Sequence, residues 1–405
     1  MPQDPRIVVT ADDLTGAADA GVQFTLAGIA ARVWLRDGTV EAGASVFDTE
    51  SRSLDPPSAA GRVGGLAGRL GAIGFDHFYQ KVDSTLRGNL GAETAALLTA
   101  LGRAFAVLAP AFPANGRTTL GGVQLVRGVP VHQTAIGRDP AHPMRFPTIA
   151  AALRSQSDLP VVEIGLDEVR RGPGRLAAAL ELAAGGRPVI AVVDAERDDD
   201  LAALAAALAV LGPRCLPVGS AGLAAHMPAA WGLLSGWSAR PLAPSLLRRA
   251  ERVLFVCGSL NPATGAQVEA LARARGVEPL AASARGAGRR AAAALAAGTG
   301  LLCSGAARDA DPARVAARLG RRAREAVASL RPDALVLTGG DTARAVLDAL
   351  GGRGIALQAE LLPGVPLGRI VGGELDGVTV VTKAGGFGGP DTLVEVQRYL
   401  QEATR

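Results

Sequence analysis

The chain has 405 residues, of which 48% are hydrophobic and 3% are aromatic, and 42 Lys and Arg against 38 Asp and Glu give a formal net charge of +4. At about 150 residues per domain, this length predicts two or three domains with enough apolar residues for a core in each. The few aromatic residues and the scattered charges argue against a nucleic-acid binder, and no apolar run reaches the ~18 residues of a membrane span.

The amino terminus and the cysteines indicate the cellular compartment. The first residues, MPQDPRIVVT, have neither the basic start nor the apolar core of a signal peptide, which predicts a cytoplasmic protein. Cys215, Cys257 and Cys303 are too far apart in sequence to form a CxxC pair, so we expect buried thiols in a reducing compartment. The histidines show no metal-ligand spacing, and no heptad repeat or apolar stripe indicates an oligomeric state.

Short β-branched runs alternate with Ala- and Leu-rich helical stretches, which is typical of α/β proteins with parallel sheets. Strands are predicted at residues 7–10, 75–82, 105–109, 189–193, 216–218, 253–256, 301–304, 334–337 and 378–382, with a hairpin-like stretch at 121–134. Residues 231–244 contain Gly and Pro without periodicity and are the predicted linker. We therefore predict two domains, residues 1–240 and 241–405, each with a mostly parallel sheet flanked by helices.

The first polar motif, ADDLTG, lies where the first strand ends and a helix begins, at the sheet edge that binds ligands in α/β proteins. It brings together Asp12, Asp13 and Thr15, with Asp19 one helical turn further on. Helix capping explains one of these polar residues but not all four. We therefore predict a functional site here.

A second motif, KVDSTLRGN, has the same position after the strand at 75–82 and carries both signs of charge. A lysine, an arginine and backbone amides at a helix start would bind a carboxylate or a phosphate. A charge-paired strand end with a hydroxyl cap is the alternative explanation. The residues of interest are Lys81, Asp83, Ser84, Thr85 and Arg87.

A third loop, PAFPANGRTT, follows the strand at 105–109 and carries Asn115 and Arg117. Its prolines and its Asn-Gly pair predict a turn in any case. Three polar loops that leave three strands of one domain nevertheless predict a single site for a polyhydroxylated, acidic small molecule.

Three glycine-containing motifs follow strands in the second half of the chain: CGSLNPAT, TGGDTA and KAGGFGGPD. Glycine allows backbone amides to close on a phosphate, a helix start adds its dipole, and a lysine adds a point charge. Such turns also simply connect elements, but three of them together predict a nucleotide-phosphate site. No Walker P-loop, GxGxxG fingerprint or protein-kinase signature is present in the sequence.

The order and spread of these motifs resemble the four-carbon acid sugar kinase family. The matching strings are ADDLTG, KVDSTLRGN, PAFPANGRTT, GSAGLA at 219–224, CGS, TGGDTA, PGVP at 363–366 and KAGGFG, and they span the chain. The resemblance implies an amino-terminal acid-sugar-binding domain and a carboxy-terminal nucleotide-binding domain, with the active site in the cleft between them. The implied reaction is phosphorylation by ATP, with Mg²⁺, of the terminal C4 hydroxyl of erythronate, threonate or 3-oxo-tetronate.

The resemblance also implies nucleotide contacts in four loops. These are Ser259; Gly339, Gly340, Asp341 and Thr342; Pro363, Gly364, Val365 and Pro366; and Lys383, Gly385, Gly386 and Gly388. Two positions depart from the family pattern. Ala384 stands where a serine is frequent, and Asp341 stands where a glutamate is more usual.

In the mechanism that we predict, Lys81 and Arg87 hold the substrate carboxylate, while Asp12 or Asp13 binds hydroxyls and orients the attacking one. Lys81 and Lys383 are the two lysines of the chain, one in each predicted half of the site. Thr15, Asp83, Ser84, Thr85, Asn115 and Arg117 are the predicted substrate-binding residues. The alternatives are a non-catalytic two-lobed sugar-acid-binding protein and, with less support, a nicotinamide-dependent dehydrogenase.

Overall fold

A computed structural model describes residues 5–35, 38–138, 143–234, 249–305 and 311–402, and it has the predicted α/β class. The chain forms two compact units. One consists of Met1–Ala30 with Gly38–Ser238, and the other of Ala31–Asp37 with Ala239–Arg405. None of the helices in the described residues has the length and apolar content that a membrane crossing requires.

The elements up to residue 234 alternate between strands and helices. The strands are β1 (Arg6–Ala11), β2 (Ala31–Trp34), β3 (Gly43–Asp48), β4 (His77–Lys81), β5 (Phe105–Ala109), β6 (Arg117–Leu120), β7 (Val123–Val126), β8 (Val129–Pro130), β9 (Val161–Ile164), β10 (Ile190–Val193) and β11 (Cys215–Gly219). The helices are α1 (Leu14–Leu26), α2 (Pro56–Ile73), α3 (Leu90–Leu101), α4 (Ile149–Arg154), α5 (Leu166–Val169), α6 (Pro173–Ala184), α7 (Asp198–Leu211), α8 (Ala221–Ala224) and α9 (Met227–Ala230).

Seven strands of the first unit form a parallel sheet in the order β3-β1-β4-β11-β5-β10-β9. The residues of six of these strands are almost all buried, as expected for strands with helices on both faces, whereas the edge strand β9 is only partly buried. The hairpin-like stretch predicted at 121–134 is a small antiparallel sheet of β6, β7 and β8. Because all seven strands are parallel, the loops after their carboxyl ends lie at one edge.

The elements after residue 249 repeat the alternation. The strands are β12 (Val253–Cys257), β13 (Leu280–Ala281), β14 (Thr299–Cys303), β15 (Ala334–Thr338), β16 (Gly354–Leu362), β17 (Val365–Val371) and β18 (Thr379–Lys383). The helices are α10 (Pro262–Arg275), α11 (Ala287–Ala296), α12 (Pro312–Ser329), α13 (Gly340–Ala349) and α14 (Thr392–Glu402). The strand order of the second unit is β13-β14-β12-β15-β18-β17-β16-β2.

Caps and proline fix the starts of the helices. The Asp13 carboxylate accepts a hydrogen bond from the Gly16 amide and caps α1, and Asn261 caps α10 ahead of Pro262. The start of α12 is fixed in the same way, because Asp311 accepts hydrogen bonds from two amides of the first turn and Pro312 follows it. Such a cap stabilises a helix by about 1 kcal/mol.

Every strand predicted from the sequence is present, with ends shifted by two residues or fewer. The antiparallel pairings of β16 with β17, β17 with β18 and β16 with β2 were not expected. Residues 31–37 group with the second unit, so the chain enters that unit early and returns to the first. The predicted linker falls largely on residues 235–248, which lie outside the described residues, and the domain boundary near 240 stays a prediction.

Candidate functional site

The register of the first sheet places the predicted polar loops side by side. Ala11 pairs with Asp48 and with Lys81, and Gly219 pairs with Lys81 and Ala109. The loops after β3, β1, β4, β11 and β5 therefore leave the sheet at the same level. Two of the predicted motifs, ADDLTG and KVDSTLRGN, are direct neighbours in this row.

Arg52, in the loop after β3, joins the two predicted aspartates. Its Nε and Nη2 donate to Asp12 Oδ2 and Oδ1 at 2.7 and 2.8 Å, and Nη2 also donates to Asp13 Oδ1 at 2.7 Å. The same nitrogen lies 3.9 Å from Asp83 Oδ1. Burial alone would lower the pKa of Arg52, but Asp12 and Asp13 raise it well above its usual value, so the guanidinium is a permanent cation. We call Arg52 with Asp12, Asp13 and Asp83 the Arg52 cluster.

Asp13 uses both carboxylate oxygens within the protein. Oδ1 accepts from the Gly16 amide at 2.9 Å as well as from Arg52, and Oδ2 accepts from Thr15 Oγ1 at 2.7 Å. Burial would raise the pKa of Asp13, but Arg52 and Lys81 lower it, so the group is ionised at neutral pH. Asp13 and Thr15 therefore shape the start of α1, whereas Arg52 alone binds Asp12 among the side chains that the structure describes.

Asp83 and Arg87 form a bidentate ion pair within the KVDSTLRGN loop. Arg87 Nε donates to Asp83 Oδ2 at 2.8 Å and Arg87 Nη2 to Oδ1 at 3.0 Å, and Thr85 Oγ1 also donates to Oδ2. Burial would raise the pKa of Asp83, but Arg87 and Arg52 hold it well below its usual range. Arg87 thus reaches the site already paired with a carboxylate.

Lys81 is the last residue of β4, and its side chain is buried with 4% of the residue exposed. Its Nζ lies 2.9 Å from the position that a Cβ on Gly16 would occupy, so the ammonium lies against the first turn of α1. No hydrogen bond to Lys81 Nζ is present among the described residues. An ammonium beside a helix start is a suitable site for an anionic group.

Glu93, in the first turn of α3, is a buried carboxylic acid beside Asp12 that the sequence motifs did not include. Its Oε1 accepts from Ser51 Oγ at 2.7 Å, and the residue is 3% exposed. Burial, together with the nearby negative charge of Asp12, raises the pKa of Glu93 to about 8. Glu93 is therefore neutral at pH 7. A neutral carboxyl group does not compete with Asp12 for the Arg52 guanidinium.

The raised pKa of Glu93 makes stability depend on pH. The unfolded chain loses this proton near pH 4.5 and the folded chain near pH 8. The contribution of Glu93 to stability is therefore complete below about pH 4.5 and is lost as the pH rises to about 8. The Glu93→Gln variant, which cannot titrate, is expected to lose less stability than wild type between those values, as measured by urea unfolding. Equal losses in the two proteins would contradict a buried neutral Glu93.

The remaining predicted substrate residues lie at the same edge of the first unit. The Ser84 carbonyl accepts from Gln124 Nε2 at 2.7 Å, which fixes this loop to β7. Arg117 begins β6 and donates to the Asn115 carbonyl at 3.0 Å. Burial lowers the pKa of Arg117, and the charges of Asp83 and Asp19 partly offset this effect, which places Arg117 in the electrostatic environment of the cluster.

The sequence DTESRS at 48–53 contained the signal for the missed residues Ser51 and Arg52. It is a polar run directly after the short apolar run ASVF, in the same arrangement as the two predicted motifs. The run was overlooked because β3 was not predicted. Ser220 was quoted only within GSAGLA, and its hydroxyl donates to the Ala111 carbonyl and so ties the loops after β11 and β5 together.

The second unit has a corresponding edge. Cys257 pairs with Cys303 and Thr338, and Thr338 pairs with Lys383, so the loops after β14, β12, β15 and β18 lie in one row. CGSLNPAT, TGGDTA and KAGGFGGPD are three of these loops. The structure therefore brings the three predicted glycine motifs together.

Lys383 ends β18 and is 1% exposed. Its Nζ donates to the carbonyl oxygens of Ala384 at 2.8 Å, Phe387 at 3.0 Å and Gly385 at 3.4 Å. Burial lowers the pKa of Lys383 to about 8. The direct phosphate contact expected for this ammonium stays a prediction, because in the structure its donors are directed to its own loop.

The loop after Lys383 packs tightly against the loop after β12. A Cβ on Gly385 would lie 1.9 Å from Ser259 Oγ, and Gly388 has φ +80°, in the left-handed region that favours glycine. Gly339 has φ +96° and also approaches Ser259. Glycine is thus required where these loops meet.

The GGDT and PGVP motifs lie around the same loop. Gly340, Asp341 and Thr342 form the first turn of α13, and a Cβ on Gly258 would clash with Thr342 Oγ1 at 1.9 Å. Pro363 and Gly364 turn the chain from β16 into β17, and a Cβ on Gly364 would lie 2.2 Å from Phe387 Cδ2. Val365 and Pro366 are buried in β17, so any nucleotide contact from them would be through the backbone.

Within the described ranges, no group of three or more His, Cys, Asp or Glu side chains is placed to hold a metal ion. The carboxylates of Asp12, Asp13 and Asp83 are bound by arginines instead. A divalent cation in a site of this kind would bind mainly through phosphate oxygens and water.

Two family models match the chain. Residues 7–227 match a sugar-binding N-terminal domain, and residues 254–393 match a nucleotide-binding C-terminal domain. The first match contains the Arg52 cluster and the second contains the glycine loops. Together they cover most of the chain.

Three curated relatives are similar over nearly their whole length. A protein of Salmonella typhimurium named D-threonate kinase is 35% identical, covering 98% of this chain and 99% of the relative. One of the same name from Bordetella bronchiseptica is 38% identical, covering 98% of each. A 3-oxo-tetronate kinase of Burkholderia multivorans is 30% identical, again covering 98% of each.

Among solved structures, protein HI1011 of Haemophilus influenzae superposes with a TM-score of 0.71 at 25% identity, covering 96% of this chain and 99% of that one. The fold that the elements above describe is therefore also found in an experimental structure.

Proposed function

The chain belongs to the four-carbon acid sugar kinase family, and we propose that it transfers a phosphoryl group from ATP to the terminal C4 hydroxyl of D-threonate. The observation that carries this choice of acid is the identity of 35% and 38% with two D-threonate kinases, against 30% with a 3-oxo-tetronate kinase. The Arg52 cluster supplies the chemistry that an acidic, polyhydroxylated substrate needs.

Lys81 is the group that we assign to the substrate carboxylate. Its ammonium has no hydrogen bond among the described residues and lies against the first turn of α1, where helix amides add positive potential. Arg87 is already paired with Asp83, so it contributes mainly a long-range field and its remaining guanidinium donors. A carboxylate bound in this way would fix one end of the substrate in the site.

Asp12 is the group that we assign to the substrate hydroxyls. Asp13 Oδ1 accepts from Gly16 and Arg52 and Oδ2 from Thr15, whereas each Asp12 oxygen accepts one donor among the described side chains, from Arg52. Both Asp12 oxygens therefore retain a lone pair for a hydroxyl, whereas Asp13 retains one on Oδ2 alone. Its role is to orient that hydroxyl, because phosphoryl transfer requires mainly positioning and charge neutralisation.

The glycine loops of the second unit fit the phosphates of a nucleotide. Among the described residues, the N–H groups of Gly385, Gly386 and Gly388 donate no hydrogen bond, and glycine allows a phosphate to approach them closely. Mg²⁺ bound with the nucleotide would supply positive charge that offsets that of the phosphates. Because the reaction consumes ATP, we place the protein in the cytoplasm, with the sugar acid and ATP as its partners.

A kinase assay on a panel of four-carbon acids tests this function. D-threonate, D-erythronate and 3-oxo-tetronate would each be incubated with γ-labelled ATP and Mg²⁺, and label transfer and ADP release would be followed together. We expect the highest kcat/KM with D-threonate. If no label is transferred, binding of the acid measured by calorimetry would favour a non-catalytic binding protein, and reduction of added NAD⁺ or NADP⁺ would favour a dehydrogenase. A preference for another acid would correct the substrate.

A further inference from the structure

Four carbonyl groups of the loop at 384–389 accept hydrogen bonds from three buried side chains. Lys383 Nζ binds the carbonyls of residues 384, 385 and 387. Thr264 Oγ1 donates to the Gly385 carbonyl at 2.9 Å, and Gln267 Nε2 donates to those of Phe387 at 3.0 Å and Gly389 at 2.9 Å. We call Thr264, Gln267 and Lys383 the carbonyl clamp.

The clamp is rigid because its members are buried and come from regular elements. Thr264 is 2% exposed and Gln267 is 0% exposed, and both lie on α10, three residues apart and thus on one helix face. Lys383 is fixed at the end of β18. Thr264 is the last residue of the CGSLNPAT motif, whereas Gln267 lies outside every motif of the sequence analysis.

Peptide geometry determines where the amides of the loop point. The peptide bonds of the chain are all trans where the structure describes them, so the N–H that follows a carbonyl points away from that carbonyl's partner. Carbonyls 384, 385 and 387 face the clamp, and therefore the N–H groups of Gly385, Gly386 and Gly388 face the opposite side. Each of these three amides donates no hydrogen bond within the described chain.

We propose that the carbonyl clamp positions these three amides to receive the phosphate groups of the nucleotide. Thr264, Gln267 and Lys383 act through the loop and are positioning residues. The ammonium of Lys383 adds positive charge behind the peptide planes, which polarises their N–H groups toward an anion. This inference rests on the proposed function, because it takes the ligand of the second unit to be a nucleotide phosphate.

The test compares ADP with adenosine, which lacks phosphate, by isothermal titration calorimetry on the full chain with Mg²⁺. Thr264→Val and Gln267→Leu each remove donors to loop carbonyls without removing a residue that contacts the ligand. Each is expected to raise the Kd for ADP by about tenfold, equivalent to the loss of one hydrogen bond to the loop, and to leave the Kd for adenosine unchanged. Thr264→Ser keeps the hydroxyl and is expected to bind ADP as wild type does.

The matched control is Gln397→Leu. Gln397 is also 0% exposed and lies in the second unit, but its Nε2 donates to Thr299 Oγ1. It is expected to leave the Kd for ADP unchanged, whereas equal weakening by this control would overturn the inference. Thermal melting of each variant verifies folding, and Thr264→Ala replaces Thr264→Val if the latter does not fold.

The outcomes separate the two proposals. Failure of the wild type to bind ADP would refute the nucleotide site itself. Wild-type binding together with unchanged ADP affinity in Thr264→Val and Gln267→Leu would refute only the clamp, as would an equal loss of ADP and adenosine binding. A loss of affinity for ADP with unchanged affinity for adenosine would support the clamp.

Discussion

Replacement of Lys81 by methionine is expected to lower kcat/KM for the sugar acid by roughly a hundredfold or more, the size of effect seen when a positioned charge donor is removed from an active site. The methionine keeps the buried aliphatic volume but removes the ammonium, which is the group assigned to the substrate carboxylate. It also leaves Asp13 and Asp83 without one of the cations that lower their pKa values. Steady-state kinetics with varied acid and saturating ATP measures the effect.

Arginine at position 81 is expected to restore little of this activity. The Lys81 ammonium is already 2.9 Å from the site of a Cβ on Gly16, so the larger, planar guanidinium would have to displace the start of α1. Arg69→Met is the control, because Arg69 lies on the exposed side of α2 and, within the described ranges, donates only to the carbonyl of Gly65 in its own helix. Near-wild-type kcat/KM in Lys81→Met would refute the assignment of Lys81.

Strand ends were the part of the site that could be predicted from sequence. A buried apolar run followed by Asp, Lys or Gly identifies the carboxyl edge of a parallel sheet, and this reasoning located Asp12, Lys81 and Lys383 correctly at such ends. The order of strands across the sheet is a tertiary property. The pairing of β1 with β3 therefore placed Arg52 between Asp12 and Asp13 without any local signal for that contact.

The two lysines illustrate a second limit of sequence reasoning. Both follow buried strands and precede polar loops, so composition and position give them the same interpretation. In the structure, Lys81 is directed toward the start of α1, whereas Lys383 is bound to the carbonyls of its own loop. Side-chain direction depends on which acceptors the fold supplies. For Lys383, the acceptors are carbonyls of a loop that Thr264 and Gln267 on α10 also hold.

The antiparallel strands of the second unit were missed for a related reason. The run that forms β16 is apolar over most of its length, and such a run does not distinguish a strand from a helix. PGVP was interpreted as a ligand loop, but it is also the turn between β16 and β17. A motif inferred from resemblance can therefore hide the structural role of the same residues.

Gly385→Ala is expected to abolish detectable ADP binding, because the added Cβ would lie 1.9 Å from Ser259 Oγ and 2.6 Å from Ser259 Cβ. The clash is with a side chain that the neighbouring loop holds in place, so we expect the loop at 384–389 to move and its amides to lose their alignment. Gly389→Ala is the control within the same loop, because a Cβ there meets no atom within 4 Å. Calorimetric titration with ADP and Mg²⁺ is the measurement.

A double variant separates steric displacement of the loop from a general loss of stability. In Ser259→Gly with Gly385→Ala, the obstructing side chain is gone and the nearest remaining contact of the new Cβ is Asn261 Cβ at 3.6 Å, an ordinary van der Waals distance. ADP binding should return to the level of the single Ser259→Gly variant, since that variant lacks the same hydroxyl. If Gly385→Ala alone bound ADP as well as Gly389→Ala does, the loop would not require glycine at this position and its assignment to the phosphates would be wrong.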